Sequence, residues 1–190
     1  VAENGAVALI AQRGAPPLLE YAQDDATRAR NARRLRHAAA RVLREVPGAR
    51  LAADSAGRIT DIAIDHAEHA RLDAAQVARV VALLRDEGAQ ASVSSIHVNA
   101  WFGDYDKLTT SRTMMSELFG VDIATERARY VFAGDSPNDA PMFGYFPNAV
   151  GVANVRDFAD RLEHKPRWIA SARTGAGFVE LANPLISARR

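Results

Sequence analysis

The apolar run at 130–134, Tyr-Val-Phe-Ala-Gly, passes without a break into Asp135-Ser136-Pro137-Asn138-Asp139. No other segment limits the fold as strongly. A short strand without polar alternation belongs to a sheet covered on both faces, as parallel sheets in α/β proteins are. In such sheets ligands bind at the carboxyl ends of the strands, where these polar residues emerge. Ser136-Pro137 has the form of an N-cap followed by proline at the first helical position, which would leave backbone N–H groups at the same place. Clustered carboxylates suit a hard cation, and N–H groups at a helix start suit phosphate. The same string also fits an ordinary capped turn.

The flanking pattern supports the parallel sheet. A second continuous apolar run lies at 149–153 with a short helix before it, a third at 168–170, and a helix is expected at 175–186. Upstream, 107–119 reads as a helix closed by Gly120. The second half is therefore βαβα. The first half differs. A short run at 6–10 has the character of a strand end, and Gly14-Ala15-Pro16-Pro17 reads as a turn or linker. A helix at 25–46 carries Leu35, Ala38, Ala39, Val42 and Val46 on one stripe, with Pro47-Gly48 as its stop. Residues 58–65 alternate as a half-buried strand, and a second helix opens at Asp73 with Gln76 three residues on and closes before Gly88. The segment 91–101 reads as one alternating strand, with Ile96, Val98 and Ala100 on one face and Ser95, His97, Asn99 and Trp101 on the other. A unit of α+β type is thus expected between 11 and 103, with a boundary near residue 103.

Composition excludes several classes. With no cysteine, a disulfide framework and a cysteine-ligated zinc site are both out, and the absence fits a cytoplasmic protein. No apolar run approaches the ~18–20 residues of a membrane span. The 24 basic and 23 acidic side chains nearly cancel, which argues against nucleic-acid binding by bulk charge. Of the eight arginines from Asp24 through Arg50, seven concentrate basic charge on the first helix. Arg30, Arg33, Arg34, Arg41 and Arg44 fall off its apolar stripe and read as a solvated face, a phosphate-attracting or nucleic-acid-binding face being the alternative. His66 and His69 beside Glu68 have a spacing common on polar loop edges, so no metal is assigned to them.

Only two of the 24 basic residues are lysines, Lys107 and Lys165. Lys107 opens a helix, where the dipole disfavours positive charge. Asp104 and Asp106 beside it offset that cost, and a surface lysine would look the same. The alternative is a compact cation placed to neutralise a phosphoryl group near the carboxylates.

Lys107 followed by Gly134-Asp135-Ser136-Pro137-Asn138-Asp139, and then by Val150-Gly151-Val152-Ala153-Asn154, resembles motifs III and IV of the haloacid dehalogenase superfamily. The opening Glu3-Asn4-Gly5-Ala6 resembles the lead-in to the cap of its subclass IIB, which includes Cof-type, sucrose-phosphate and mannosyl-phosphoglycerate phosphatases. The resemblance implies a Rossmann-like parallel-sheet core, partial here, made of 1–10 and 104–190, with an inserted α+β cap at 11–103. It implies phosphoryl transfer from a small phosphorylated metabolite, a sugar phosphate, through an aspartyl-phosphate with Mg²⁺ as cofactor. By motif, Asp135 would ligate Mg²⁺ and Asp139 would ligate it, support it from behind or hold Lys107. Lys107 would stabilise the nucleophile and the phosphoryl group. Asn138 would orient phosphate or Asp135, Ser136 would cap the helix or touch phosphate, and Asn4 would face the site or act as a hinge. The cap face carrying His97 and Asn99, with Trp101, Asp61 and Asp65, is the candidate substrate lining; a solvated strand face is the alternative.

The family's nucleophile motif, D-x-D-x-[TV] at the end of an apolar strand, has no counterpart here, and neither does its second motif. Asp104-Tyr105-Asp106 has the letters but precedes the lysine-led helix. Both motifs are expected upstream, on strand–helix units that would lengthen a parent chain by ~60–70 residues, and the 190 residues alone are expected to be inactive. A non-catalytic binding or regulatory module and a phosphosugar mutase are the competing readings. A serine esterase built on Ser136 is disfavoured, since no His–Asp pair accompanies it and a proline follows it.

Overall fold

The computed structural model describes residues 1–188, so Arg189 and Arg190, at the end of the expected core segment, lie outside the described residues. The chain divides into two compact units, Val1–Met114 and the residues from Met115 on. Among the described residues no helix is long and apolar enough to cross a membrane.

The first unit opens with a tight turn at Glu3–Gly5 and an antiparallel ribbon, β1 (Val7–Gln12) with β2 (Ala15–Tyr21). The expected turn at 14–17 is shorter than its prolines suggest, because Pro16 and Pro17 lie inside β2. A ribbon strand has one partner and one open edge, so a residue without an N–H is tolerated there. Then follow α1 (Asp25–Glu45), β3 (Arg50–Leu51), β4 (Asp61–Asp65), α2 (Ala74–Asp86), β5 (Gln90–Val93) and β6 (His97–Trp101). The last four strands form an antiparallel sheet in the order β3-β4-β6-β5. Segment 91–101 is therefore two strands. The turn between them is closed by Ser94, whose N–H and hydroxyl both donate to the His97 carbonyl (2.8 and 3.1 Å).

Both helices pack on one face of this sheet. Leu35, Ala38, Val42 and Val46 from the α1 stripe meet Val80, Leu83 and Leu84 of α2 over Ile64, Val98 and Ala100. Asp24 caps α1 by accepting the Thr27 N–H at 2.9 Å. Asp73 and Gln76 form a reciprocal capping box on α2. Such caps stabilise a helix by about 1 kcal/mol each. Of the α1 arginines, Arg30, Arg33, Arg34 and Arg44 are exposed as expected. Arg41 is half-buried and bridges to Glu45, Asp86 and Glu87. Helix α3 (Lys107–Phe119) begins in the first unit and ends in the second.

The second unit is α/β. Strands β7 (Val131–Gly134), β8 (Asn148–Gly151) and β9 (Trp168–Ile169) are parallel in the order β7-β8-β9. Helices α4 (Ala140–Tyr145) and α5 (Thr174–Ser187) accompany them. Phe132 of β7 packs edge-on to Phe143 and stacks with Phe146, fixing α4 against the strand. Gly134 and Gly151 pair in register, so the carboxyl ends of β7 and β8 lie side by side.

Candidate functional site

The polar string leaves β7 as the sequence implies and turns at once into a 3-10 segment, Pro137–Asp139, that leads into α4. Its organiser is Asp139, only 5% exposed. The Asp139 Oδ2 accepts the backbone N–H of Asp135 at 2.9 Å and that of Ser136 at 3.4 Å. These two N–H groups precede the segment; of those expected at its start, Pro137 has none and Asp139 donates to the Ser136 carbonyl at 3.0 Å. The Ser136 hydroxyl, almost completely buried, lies 2.8 Å from Asn138 Oδ1 and 3.2 Å from Asp135 Oδ1. A hydroxyl has one proton and two lone pairs, so it can serve both only as a relay. Turning the Asn138 amide to present its NH₂ gives that relay, Asn138 to Ser136 to Asp135. Among the described residues no histidine hydrogen-bonds to Ser136, in line with the argument against an esterase.

Close packing makes the loop possible. A Cβ on Gly134 would lie 2.8 Å from Asp139 Oδ2 and 2.8 Å from the tip of the Phe143 ring. Only glycine lets the Asp139 side chain fold back beneath the strand end. The structure thereby brings together Asp135, Ser136, Asn138 and Asp139.

Mg²⁺ is commonly held through one or two carboxylates, with waters and substrate phosphate completing the octahedron. Asp135 fits that pattern as the ligating carboxylate, with Asp139 shaping the backbone behind it. Among the described residues no group of three or more His, Asp or Glu could form an all-protein cage.

The remaining assigned residues belong to the first unit. Lys107 is the first residue of α3, whose N-terminus is capped by Asp106 accepting the Thr109 N–H at 2.7 Å. That cap accounts for Asp106 and removes Asp104-Tyr105-Asp106 from candidacy as a nucleophile motif. The strand before it, β6, is a central antiparallel strand rather than a parallel one. The start of α3 is docked on the opening turn. Gly5, at φ +105°, leaves no room for a Cβ against the Asp106 carbonyl, and the Thr110 hydroxyl donates to the Gly5 carbonyl at 2.6 Å.

Asn4 adopts a left-handed conformation (φ 57°) that turns its amide onto Asp61 Oδ2 at 2.7 Å. Asp61 is completely buried at its side chain and receives Arg58 Nη1 on both oxygens, at 3.0 and 3.2 Å. Arg58 uses its other edge on Asp54, at 2.9 and 2.8 Å. Burial pushes the Asp61 carboxyl above its usual range, and the Arg58 guanidinium opposes that only in part. Glu3 accepts the N–H groups of Ile59 and Thr60 and the Thr60 hydroxyl. Arg58 and Glu3 were not singled out from the sequence as site residues. The i, i+3 spacing of Arg58 and Asp61 is the available signal for one, and the opening Glu3-Asn4-Gly5-Ala6 marks the other only as part of a lead-in.

Tyr105 completes this cluster with a buried hydroxyl that, among the described residues, has no hydrogen-bond partner of ordinary geometry. Burial, followed by the Asp61 and Glu3 carboxylates, pushes its pKa up to about 12. Since the folded value exceeds the ordinary 10.0, the stability it contributes is complete below pH 10 and is lost as pH rises towards 12. Tyr105→Phe removes the orphan hydroxyl and should raise stability by about 1 kcal/mol or leave it unchanged. A thermal melt measures this.

His97 and Asn99 point, with Asp61, Ala63 and Asp65, to the sheet face opposite the helices. That face is not a solvated strand face: Asp61, Asp65, His97, Asn99 and Trp101 are all 9% exposed or less. Asp65 accepts the N–H groups of Glu68, His69 and Ala70, each at 2.9 Å. Burial pushes its carboxyl up, but those three bonds outweigh it and hold the group below the usual range. Asp65 thus organises the loop that follows β4. His97 Nε2 lies 3.1 Å from Glu68 Oε2.

No protein-family model and no curated protein matches the chain. Solved structures do. The Thermoplasma acidophilum protein 0175 aligns with TM-score 0.58 at 14% identity, over 88% of this chain and 65% of that one. The sucrose-phosphatase of Synechocystis sp. PCC6803, solved with sucrose and phosphate, aligns with TM-score 0.58 at 14% identity, over 87% and 69%. A trehalose-6-phosphate phosphatase related protein aligns with TM-score 0.52 at 12% identity, over 91% and 68%. The chain spans about two thirds of the length of these proteins, and at such identities what it shares with them is the fold.

Proposed function

We propose that these residues form the cap (11–103) and part of the core (1–10 and 104–190) of a Mg²⁺-dependent phosphatase of haloacid dehalogenase type. Its substrate is a small phosphorylated metabolite of the sugar-phosphate class. The observation that carries the reading is the 135–139 loop, where a buried carboxylate on two backbone N–H groups fixes Asp135 and Ser136 at the end of a parallel strand. The shared fold with a sucrose-phosphatase is consistent with it.

In this reading the nucleophile is an aspartate of a longer parent chain. Its carboxylate attacks phosphorus, the ester P–O bond breaks and the alcohol leaves with a proton; water then releases inorganic phosphate. Asp135 holds the cation, Asp139 fixes Asp135, Asn138 and Ser136 orient its carboxylate, and Lys107 supplies positive charge to the phosphoryl oxygens. Bound Mg²⁺ supplies charge neutralisation. The absence of a D-x-D-x-[TV] strand end from these residues favours one second reading, a non-catalytic binding module.

The test is turnover of p-nitrophenyl phosphate with Mg²⁺. The 190-residue chain should show none, and a parent chain carrying the D-x-D-x-[TV] motif should be active. In that parent, Asp135→Ala and Lys107→Ala should each lower kcat by about a hundredfold or more. Unchanged rates would remove both residues from the site, and turnover by the short chain would overturn the placing of the nucleophile.

A further inference from the structure

The outer side of α1 carries charge of one sign. Residues 26–44 hold seven arginines and no aspartate or glutamate. A solvated helix gains by interleaving the two signs three or four positions apart, and like charges at that spacing cost it stability. The near-balance of the whole chain therefore conceals a local excess, because the compensating carboxylates lie on other elements.

Four of the seven arginines are already engaged. Arg28 pairs with Asp25 and lies 3.5 Å over the Tyr21 ring, and Arg34 lies 3.6 Å over the Phe102 ring. Arg41 and Arg44, with Arg79 of α2, meet Glu45, Asp86 and Glu87, so cations and carboxylates cancel there. Arg30, Arg33 and Arg36 remain. All three are exposed, and among the described residues none has a carboxylate partner. Arg30 donates to the Thr27 hydroxyl at 3.1 Å, which leaves its charge uncompensated. The three follow one another at i, i+3 and i+6, advancing about 4.5 Å along the axis per step. Leu35, Ala38 and Val42 hold the other side of the helix against the core.

A ridge of uncompensated guanidiniums set among exposed alanines, Ala29 and Ala40, suits one kind of surface. The guanidinium fork matches phosphate oxygens, and alanine allows a bulky polyanion to come close to the helix. A protein partner would need large anchoring side chains, and no large apolar residue is exposed between Ala29 and Ala40. A bilayer would need an apolar face to insert, and that of α1 is buried in the core. The one carboxamide of the segment, Asn31, is buried against Gln23 and the Phe102 carbonyl, so no adenine-reading group is offered.

We propose that the ridge of Arg30, Arg33 and Arg36 binds the sugar–phosphate backbone of a nucleic-acid duplex, without reading its sequence. The inference goes beyond the phosphatase reading and is independent of it, since no ridge residue takes part in phosphoryl transfer there.

Fluorescence anisotropy of the 190-residue chain with short, end-labelled DNA duplexes tests it. Two duplexes of unrelated sequence should bind equally. The association constant should fall about fortyfold between about 50 and 200 mM salt, on the slope of about −2.7 that three phosphate contacts give. Arg30→Gln, Arg33→Gln and Arg36→Gln should each weaken binding about tenfold at the lower salt and reduce the slope by about 0.9. Their melting temperatures should be unchanged or higher, since like-charge repulsion is relieved. Arg13→Gln, which removes an exposed arginine from the β1–β2 turn, should leave binding unchanged. Absence of binding at the lower salt would overturn the proposal, as would a loss in Arg13→Gln equal to that of the ridge variants. So would preference for one sequence over the other. Partition onto phosphatidylserine vesicles with no affinity for the duplex would make the ridge a lipid contact and overturn it as well.

Discussion

Arg58→Ala is expected to destabilise the first unit by about 3 kcal/mol, among the largest single losses this protein should show. The figure comes from the usual cost of removing one partner from a buried ion pair, about 3–5 kcal/mol. The lower end applies because Asn4 still donates to Asp61 and the Arg58 side chain is 18% exposed. What remains after the substitution is a carboxylate with no exposed side-chain surface and no cation. The Arg58→Ala/Asp61→Ala double variant should therefore be more stable than the sum of the single losses predicts. Chemical denaturation of the four proteins of this cycle provides the coupling energy.

The pH dependence gives the sign independently. Burial already raises the Asp61 carboxyl above its ordinary value of 3.8, and loss of Arg58 removes the main opposing influence. A folded value above the unfolded one means the native state holds its proton more tightly. The associated stability is complete below 3.8 and is lost as pH rises through the folded value. The gap between Arg58→Ala and the parent should thus narrow on acidification. A gap constant from neutral pH down to pH ~4 would show that Asp61 remains solvated and uncoupled from Arg58.

Local patterns carried much of the fold. The helix at 107–119, the apolar strands of the parallel sheet and the buried stripe of α1 are one-dimensional signals, and the structure reproduces them. The missed hairpin left a trace. Ala91 and Val93 face the helices from odd positions and Val98 and Ala100 from even ones, so the apolar set changes parity between them. An uninterrupted strand cannot do that, because a one-residue slip sends every side chain to the other face. By contrast, no local pattern could show that the polar face of β4 and β6 is buried. Its cover comes from long-range contacts, such as Glu3 on Thr60 and Asn4 on Asp61. The same applies to Asp139: its spacing from Asp135 marks a turn, but its role in taking the Asp135 N–H depends on Gly134 having no side chain.

That dependence makes Gly134→Ala the most informative single substitution in the second unit. The added methyl would meet the Asp139 Cβ at 2.9 Å as well as its carboxylate, so rotating the Asp139 side chain cannot relieve the contact. Phe143, 4% exposed and packed on Phe132, is held from the other side. Strand end and α4 must therefore separate, at a cost of about 1–3 kcal/mol by analogy with other overpacked cores. The loop should suffer more than the fold. Once Asp139 is displaced, the N–H groups of Asp135 and Ser136 lose their acceptor and Asp135 loses its fixed backbone. In a parent chain with phosphatase activity, kcat should fall about a hundredfold, the scale on which misplacing a catalytic group by about 1 Å costs rate. Pairing Gly134→Ala with Asp139→Gly separates the causes, because removing the whole side chain, Cβ included, relieves the contact at residue 139 without restoring the acceptor. Stability should then partly recover while activity does not. Recovery of both together would mean that Asp139 only fills space beneath the strand, and that the 135–139 loop holds its shape without it.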